Sequence, residues 1–119
     1  MGGFPAARDR LTAAWARHRV SNPVVVTGDW HSTFVHDILR DFDRPESAVV
    51  ATEFVGTSIS GNGDGEVHGP YCGYMRCRVD AAQMRVDMRT VTTVSRPDAP
   101  ETTFASFVVH NGHPGALPG

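Results

Sequence analysis

The sequence predicts an α/β fold in which helices pack on a sheet and the C-terminal strands form an antiparallel group. Three observations carry this. In the first half, two stretches of helical spacing alternate with two short β-branched runs, the order of an α/β layer. A glycine-rich stretch at 56–73, with glycines at 56, 61, 63, 65, 69 and 73, then separates the halves as a flexible loop. Beyond it, runs of alternating character read as strands joined by turns.

Residues 5–19 predict the first helix. Pro5 suits its first turn, and Leu11, Ala14, Trp15 and His18 fall on one face. Asn22-Pro23 ends it, because the residue before proline disfavours helical angles. Residues 23–27 have no alternation and predict a strand buried on both faces. Phe34, Val35, Ile38, Leu39 and Phe42 then resume helical spacing over 32–41, with Ser32 as N-cap. Residues 48–55 are a second apolar run, broken only by Thr52 and Glu53, and should lie beside the first.

Residues 74–79 and 84–94 predict two further strands. In the second, Val86 and Met88 alternate with Arg85, Asp87 and Arg89, as in a strand with one wet face. Residues 103–109 follow a proline-rich turn as the last strand, and 110–119 form a tail rich in glycine and proline. No repeat or linker divides the chain, so residues 1–119 are expected to be a single domain.

Composition excludes several classes of function. Hydrophobic residues make up 40% and charged residues 20%, far from the signature of disorder. A net charge of -2 leaves no electrostatic footprint for nucleic acid, and no basic run suggests a membrane surface. No apolar run could span a bilayer. The N-terminal residues do not resemble a signal peptide, which makes the expected compartment cytoplasmic by default. Cys72 and Cys77 lie five apart, on opposite faces of any strand, and read as two small buried thiols.

The candidate site is Thr27-Gly28-Asp29-Trp30-His31-Ser32, at the carboxyl end of the first predicted strand, where open α/β sheets place their ligands. In an extended segment, Asp29 and His31 point the same way and could share a metal ion as oxygen and nitrogen ligands. Gly28 would allow close approach, and a following helix would present its positive end. The residues leave a second reading open, in which Asp29 caps the turn and His31 packs. Two ligands are also fewer than a catalytic metal centre takes from its protein. Asn62-Gly63-Asp64-Gly65-Glu66 lacks the spacing of a calcium loop and reads as a solvated loop. Glu53 is a carboxylate in an apolar run and needs a partner.

Five collinear segments resemble the alkaline phosphatase D family, the PhoD-like phosphatases of the metallophosphoesterase superfamily. Gly3-Phe4-Pro5-Ala6-Ala7-Arg8 is similar to that family's Gly-Tyr-Pro-Ala-x-Arg. Asn22-Pro23-Val24-Val25-Val26-Thr27-Gly28-Asp29-Trp30-His31-Ser32 resembles its Asn-Pro-Val-Val-x-Thr-Gly-Asp-x-His-Ser stretch. Thr52-Glu53-Phe54-Val55-Gly56-Thr57-Ser58-Ile59 matches a third motif. Gly73-Tyr74-Met75-Arg76-Cys77 and Thr103-Phe104-Ala105-Ser106-Phe107-Val108-Val109 resemble its C-terminal strands.

The resemblance implies the C-terminal segment of a metallophosphoesterase-like sandwich, a partial domain. It implies metal-dependent phosphoester hydrolysis, with calcium and iron as cofactors and Asp29 and His31 as metal ligands. It also implies a secreted or cell-envelope location, against the compartment expected from the N-terminus. The family's other ligands lie upstream of this segment, so no complete catalytic set is expected here and metal binding by this chain alone should be weak or absent. His36 stands where the family usually has Asn, and 65–74 is shorter than usual. The expected partners are a separately encoded N-terminal half and, once complemented, a phosphoester substrate. The alternative is a non-catalytic binding or assembly module that keeps the scaffold without the chemistry.

Overall fold

The computed structural model describes residues 4–60 and 72–119. Among these are one helix, α1 (Pro5–Arg17), and seven strands: β1 (Val24–Thr27), β2 (Phe34–Leu39), β3 (Val49–Val55), β4 (Cys72–Val79), β5 (Gln83–Val91), β6 (Glu101–His110) and β7 (Leu117–Pro118). The strands form two sheets. The first has the order β1-β3-β2, with β1 parallel and β2 antiparallel to β3. The second is an antiparallel β4-β5-β6-β7 sheet.

The C-terminal strands are antiparallel as expected, but the chain is richer in sheet than an α/β layer. The clearest departure is at 32–41, where a strand replaces the expected second helix. The spacing of Phe34, Val35, Ile38 and Leu39 fits the helical period and not strict alternation, so pairing with β3 overrides the local pattern. As a strand, Phe34, His36 and Ile38 stand opposite Val55, Glu53 and Ala51 of β3, while Val35 stands opposite Phe54. Pairing with β3 places Val35 against the core, Ile38 is itself buried, and both β-branched side chains suit a pleated surface.

The core lies where the two sheets meet. Phe54 of β3 packs with Val86 and Met88 of β5 and Val109 of β6, and Val24, Val35, Met75 and Phe107 close around them. The Phe54 and Phe107 rings are 6.2 Å apart and tilted by 55°. β3 is central, so Ala51 to Val55 are all buried. β1 is not buried on both faces as expected. It has a neighbour on one side only among the described residues, and Val26 is 56% exposed.

α1 starts at Pro5 as expected and is followed by Arg19 and Asn22 in left-handed conformations before Pro23. Its inward face is rotated from the expected stripe. Leu11 is 41% exposed, whereas Thr12 is buried, donating its hydroxyl to the Arg8 and Asp9 carbonyls. Arg8, Thr12 and Trp15 form the covered stripe, because the Arg8 guanidinium sits 3.9 Å over the Phe42 ring. A polar residue thus occupies an inward position through a cation–π contact.

The second sheet holds three more corrections. The presumed tail at 110–119 contains β7, with Gly119 N–H bonded to the Ser106 carbonyl and Gly115 N–H to the Thr52 hydroxyl. Cys72 is half-buried and Cys77 exposed, so these are not two buried thiols. Gly73 belongs to β4, and a Cβ there would come within 1.9 Å of the Arg89 carbonyl oxygen, next to the register shift at Met88/Arg89. The middle of the expected flexible loop, including Asn62 to Glu66, lies outside the described residues.

Candidate metal and phosphoester site

β1 and β3 run parallel, and their carboxyl ends open on a cleft of about 750 Å³. The register places Val25 and Thr27 of β1, Glu53 and Val55 of β3, and His36 and Phe34 of β2 on one face of this sheet. These six residues, with Gly28, Asp29 and Trp30, line the cleft. The face opposite carries Phe54 and belongs to the core. Alternation along three short strands thus separates an apolar inner face from a more polar one.

Glu53 has the partner its position required. It is 4% exposed and accepts a 3.0 Å hydrogen bond from the Thr27 hydroxyl. His36 stands directly opposite it across the β2–β3 ladder and stacks on Phe34, with ring centroids 5.5 Å apart. Burial pushes the Glu53 carboxyl up, while a further hydrogen-bond partner, then the Thr27 hydroxyl and last His36 pull it down; the net direction is down. The signal for Thr27 lay in its place as the polar last residue of the β-branched run. Pairing with Glu53 required the parallel register, which no local pattern gives.

Asp29 and His31 depart from an extended path. Both adopt the left-handed conformation, Asp29 at φ 73° and His31 at φ 56°, so the alternation that would aim them alike does not apply. Asp29 is exposed on the cleft; His31 is half-buried and does not line it. A Cβ on Gly28 would meet no protein atom within 4 Å, so its side faces open space. With β2 a strand, no helix follows to direct a positive end at this turn. Among the described residues, no three His, Cys, Asp or Glu side chains are grouped to hold a metal ion. The donor set of Asp29 and His31 suits a divalent or ferric ion in kind but is too small in number.

The parallel strand pair, the glycine-aspartate turn at its end and the antiparallel sheet behind it define part of a two-sheet fold with a cleft at one strand end. A family model described as PhoD-like phosphatase matches residues 1–106. Alkaline phosphatase D of Bacillus subtilis (strain 168) is 32% identical over 130 residues, covering 95% of this chain and 22% of that protein. A solved structure of PhoD matches with a TM-score of 0.83 at 31% identity, covering 97% of this chain and 25% of that one. The chain belongs to the PhoD-like phosphatase family and spans about a quarter of the length of these relatives. No described helix is long and apolar enough to cross a membrane.

Proposed function

We propose that this chain supplies Asp29 and His31 as two ligands of a metal centre for phosphoester hydrolysis, the rest of which comes from the upstream part of the family domain. That part would be carried on the same polypeptide or a separately encoded one. The observation that carries the reading is the turn itself. It puts a carboxylate and an imidazole within three positions at the carboxyl end of the parallel β1–β3 pair, with Asp29 on the cleft, where open sheets place their ligands. Asp29 offers a carboxylate oxygen and His31 an imidazole nitrogen, and by resemblance the ions are calcium and iron. Bound there, the metals would polarise phosphoryl oxygens and activate the nucleophile.

The chain's own residues then have limited tasks. Asp29 binds on the open side of the turn, and His31 anchors from the half-buried side. Glu53 is held by Thr27 and lies among the residues that line the cleft. The exposure of Trp30, at 61%, and of Val26 supports a missing cover over this end of the sheet, as a partial metallophosphoesterase-like sandwich requires. No observation favours a non-catalytic module over this reading.

The test is reconstitution with the upstream portion of a PhoD-like domain, using bis-p-nitrophenyl phosphate as substrate. The expected result is metal-dependent turnover by the assembly, negligible turnover by this chain alone, and loss of about 100-fold or more in His31→Ala. Robust turnover by the isolated chain, or full activity in reconstituted His31→Ala, would refute the assignment.

A further inference from the structure

The outer face of the second sheet carries an arrangement that folding alone does not account for. Arg76 and Arg78 lie two apart on β4, about 7 Å along one face. Across the β4–β5 ladder Arg76 pairs with Asp87 and Arg78 with Arg85. Arg78 and Arg85 are thus like charges placed directly opposite, a destabilising cross-strand pair. Asp87 lies at the centre, its side chain 3% exposed. It accepts from Arg76 Nη2 at 2.8 Å, Arg85 Nε at 3.0 Å and the Ser106 hydroxyl at 2.8 Å, with Arg78 Nη2 at 3.6 Å.

Three guanidinium groups therefore share one carboxylate, leaving two positive charges unmatched on a chain whose net charge is -2. The neighbouring Arg89 is matched by Glu101 and adds nothing to the surplus. The Asp87 oxygens are already engaged, yet each guanidinium carries five N–H donors, so donors remain for a ligand. Arg78 is the most open of the three, at 65% exposure.

We propose that this face binds a polyanion of linked phosphate groups, with Arg78 and Arg85 as the receiving pair and Asp87 as the residue that positions them. Arginine forks suit phosphate oxygens, and a flat sheet face can receive successive charges along a chain. Charge complementarity identifies the occupant, since an uncharged or basic partner would leave the Arg78–Arg85 repulsion unrelieved. The surface lies on a different sheet from Asp29 and His31 and stands independently of the metal-site reading.

The test measures binding of labelled inorganic polyphosphate to the full chain in EDTA, which removes any metal contribution. Saturable binding is expected at about 20 mM salt, weakening at least tenfold by about 200 mM as charges are screened. Arg78→Gln should weaken binding about fivefold or more with an unchanged circular dichroism spectrum, and Arg85→Gln should do likewise. Arg78→Lys should fall between the native chain and Arg78→Gln, because it keeps the charge and loses the fork. Absent binding, native-strength binding by both glutamine variants, or equal affinity for polyglutamate of matched charge would each overturn the proposal.

Discussion

The hydroxyl of Thr27 donates to the carboxylate of Glu53 across the parallel β1–β3 pair, at 3.0 Å, and so ties the last residue of β1 to the most buried carboxylate of the cleft. Removing that donor leaves a nearly buried charge short of one hydrogen bond. Thr27→Val should therefore lower stability by about 1–3 kcal/mol while keeping the strand shape. Urea denaturation would measure it, and an unchanged midpoint would show that the bond contributes nothing.

Asp87 predicts a defined acid sensitivity. Arg76 first, then the Ser106 hydroxyl, hold its carboxyl well below the ordinary range against the opposing effect of burial, with Arg85 assisting. The folded value is depressed, so the stabilisation is fully present above the unfolded pKa of about 3.9 and is lost as pH falls through that value toward the folded one. Unfolding midpoints should drop below about pH 4 in the native chain. Asp87→Asn should be less stable at pH 7, by about 2–3 kcal/mol, and less sensitive to acid. Parallel acid profiles for the two proteins would contradict this role.

Gly73 is required by the close approach of β5. A methyl group there would come within 1.9 Å of the Arg89 carbonyl oxygen, a backbone atom that cannot swing aside. Gly73→Ala should cost about 1–3 kcal/mol or more and broaden the thermal transition. A wild-type melt would mean that β4 pairs differently.

The rotated face of α1 can be tested by contrast. Leu11 is partly exposed, so Leu11→Ala should change stability by only about 0.5 kcal/mol. Phe54 is completely buried between the sheets, and Phe54→Ala should cost about 3–5 kcal/mol. Comparable losses at the two positions would restore Leu11 to the core.

What the sequence made legible follows from how local each signal is. Pro5, the Asn22-Pro23 stop and the apolar run ending at Val55 are local, and the elements they mark are present. The alternation of Val86 and Met88 with Asp87 placed the two apolar residues correctly in the core. It read Asp87 as wet, however, because only the fold brings Arg76, Arg78 and Ser106 over it. Phe34 to Leu39 misled because their apolar spacing is helical, and pairing with β3 overrode it. The left-handed turn at Asp29 and His31 is equally invisible to periodicity. The glycine before it marked a loop but not its geometry.

In the proposed function, Asp29 and His31 hold metal jointly with the upstream part of the domain. The most direct measurement of this is the metal content of the reconstituted assembly after dialysis, by elemental analysis, with Asp29→Asn and His31→Ala prepared alongside. The native assembly should retain bound metal, and each variant should lose most of at least one ion while keeping its circular dichroism spectrum. Full and equal metal content in both variants would contradict the account.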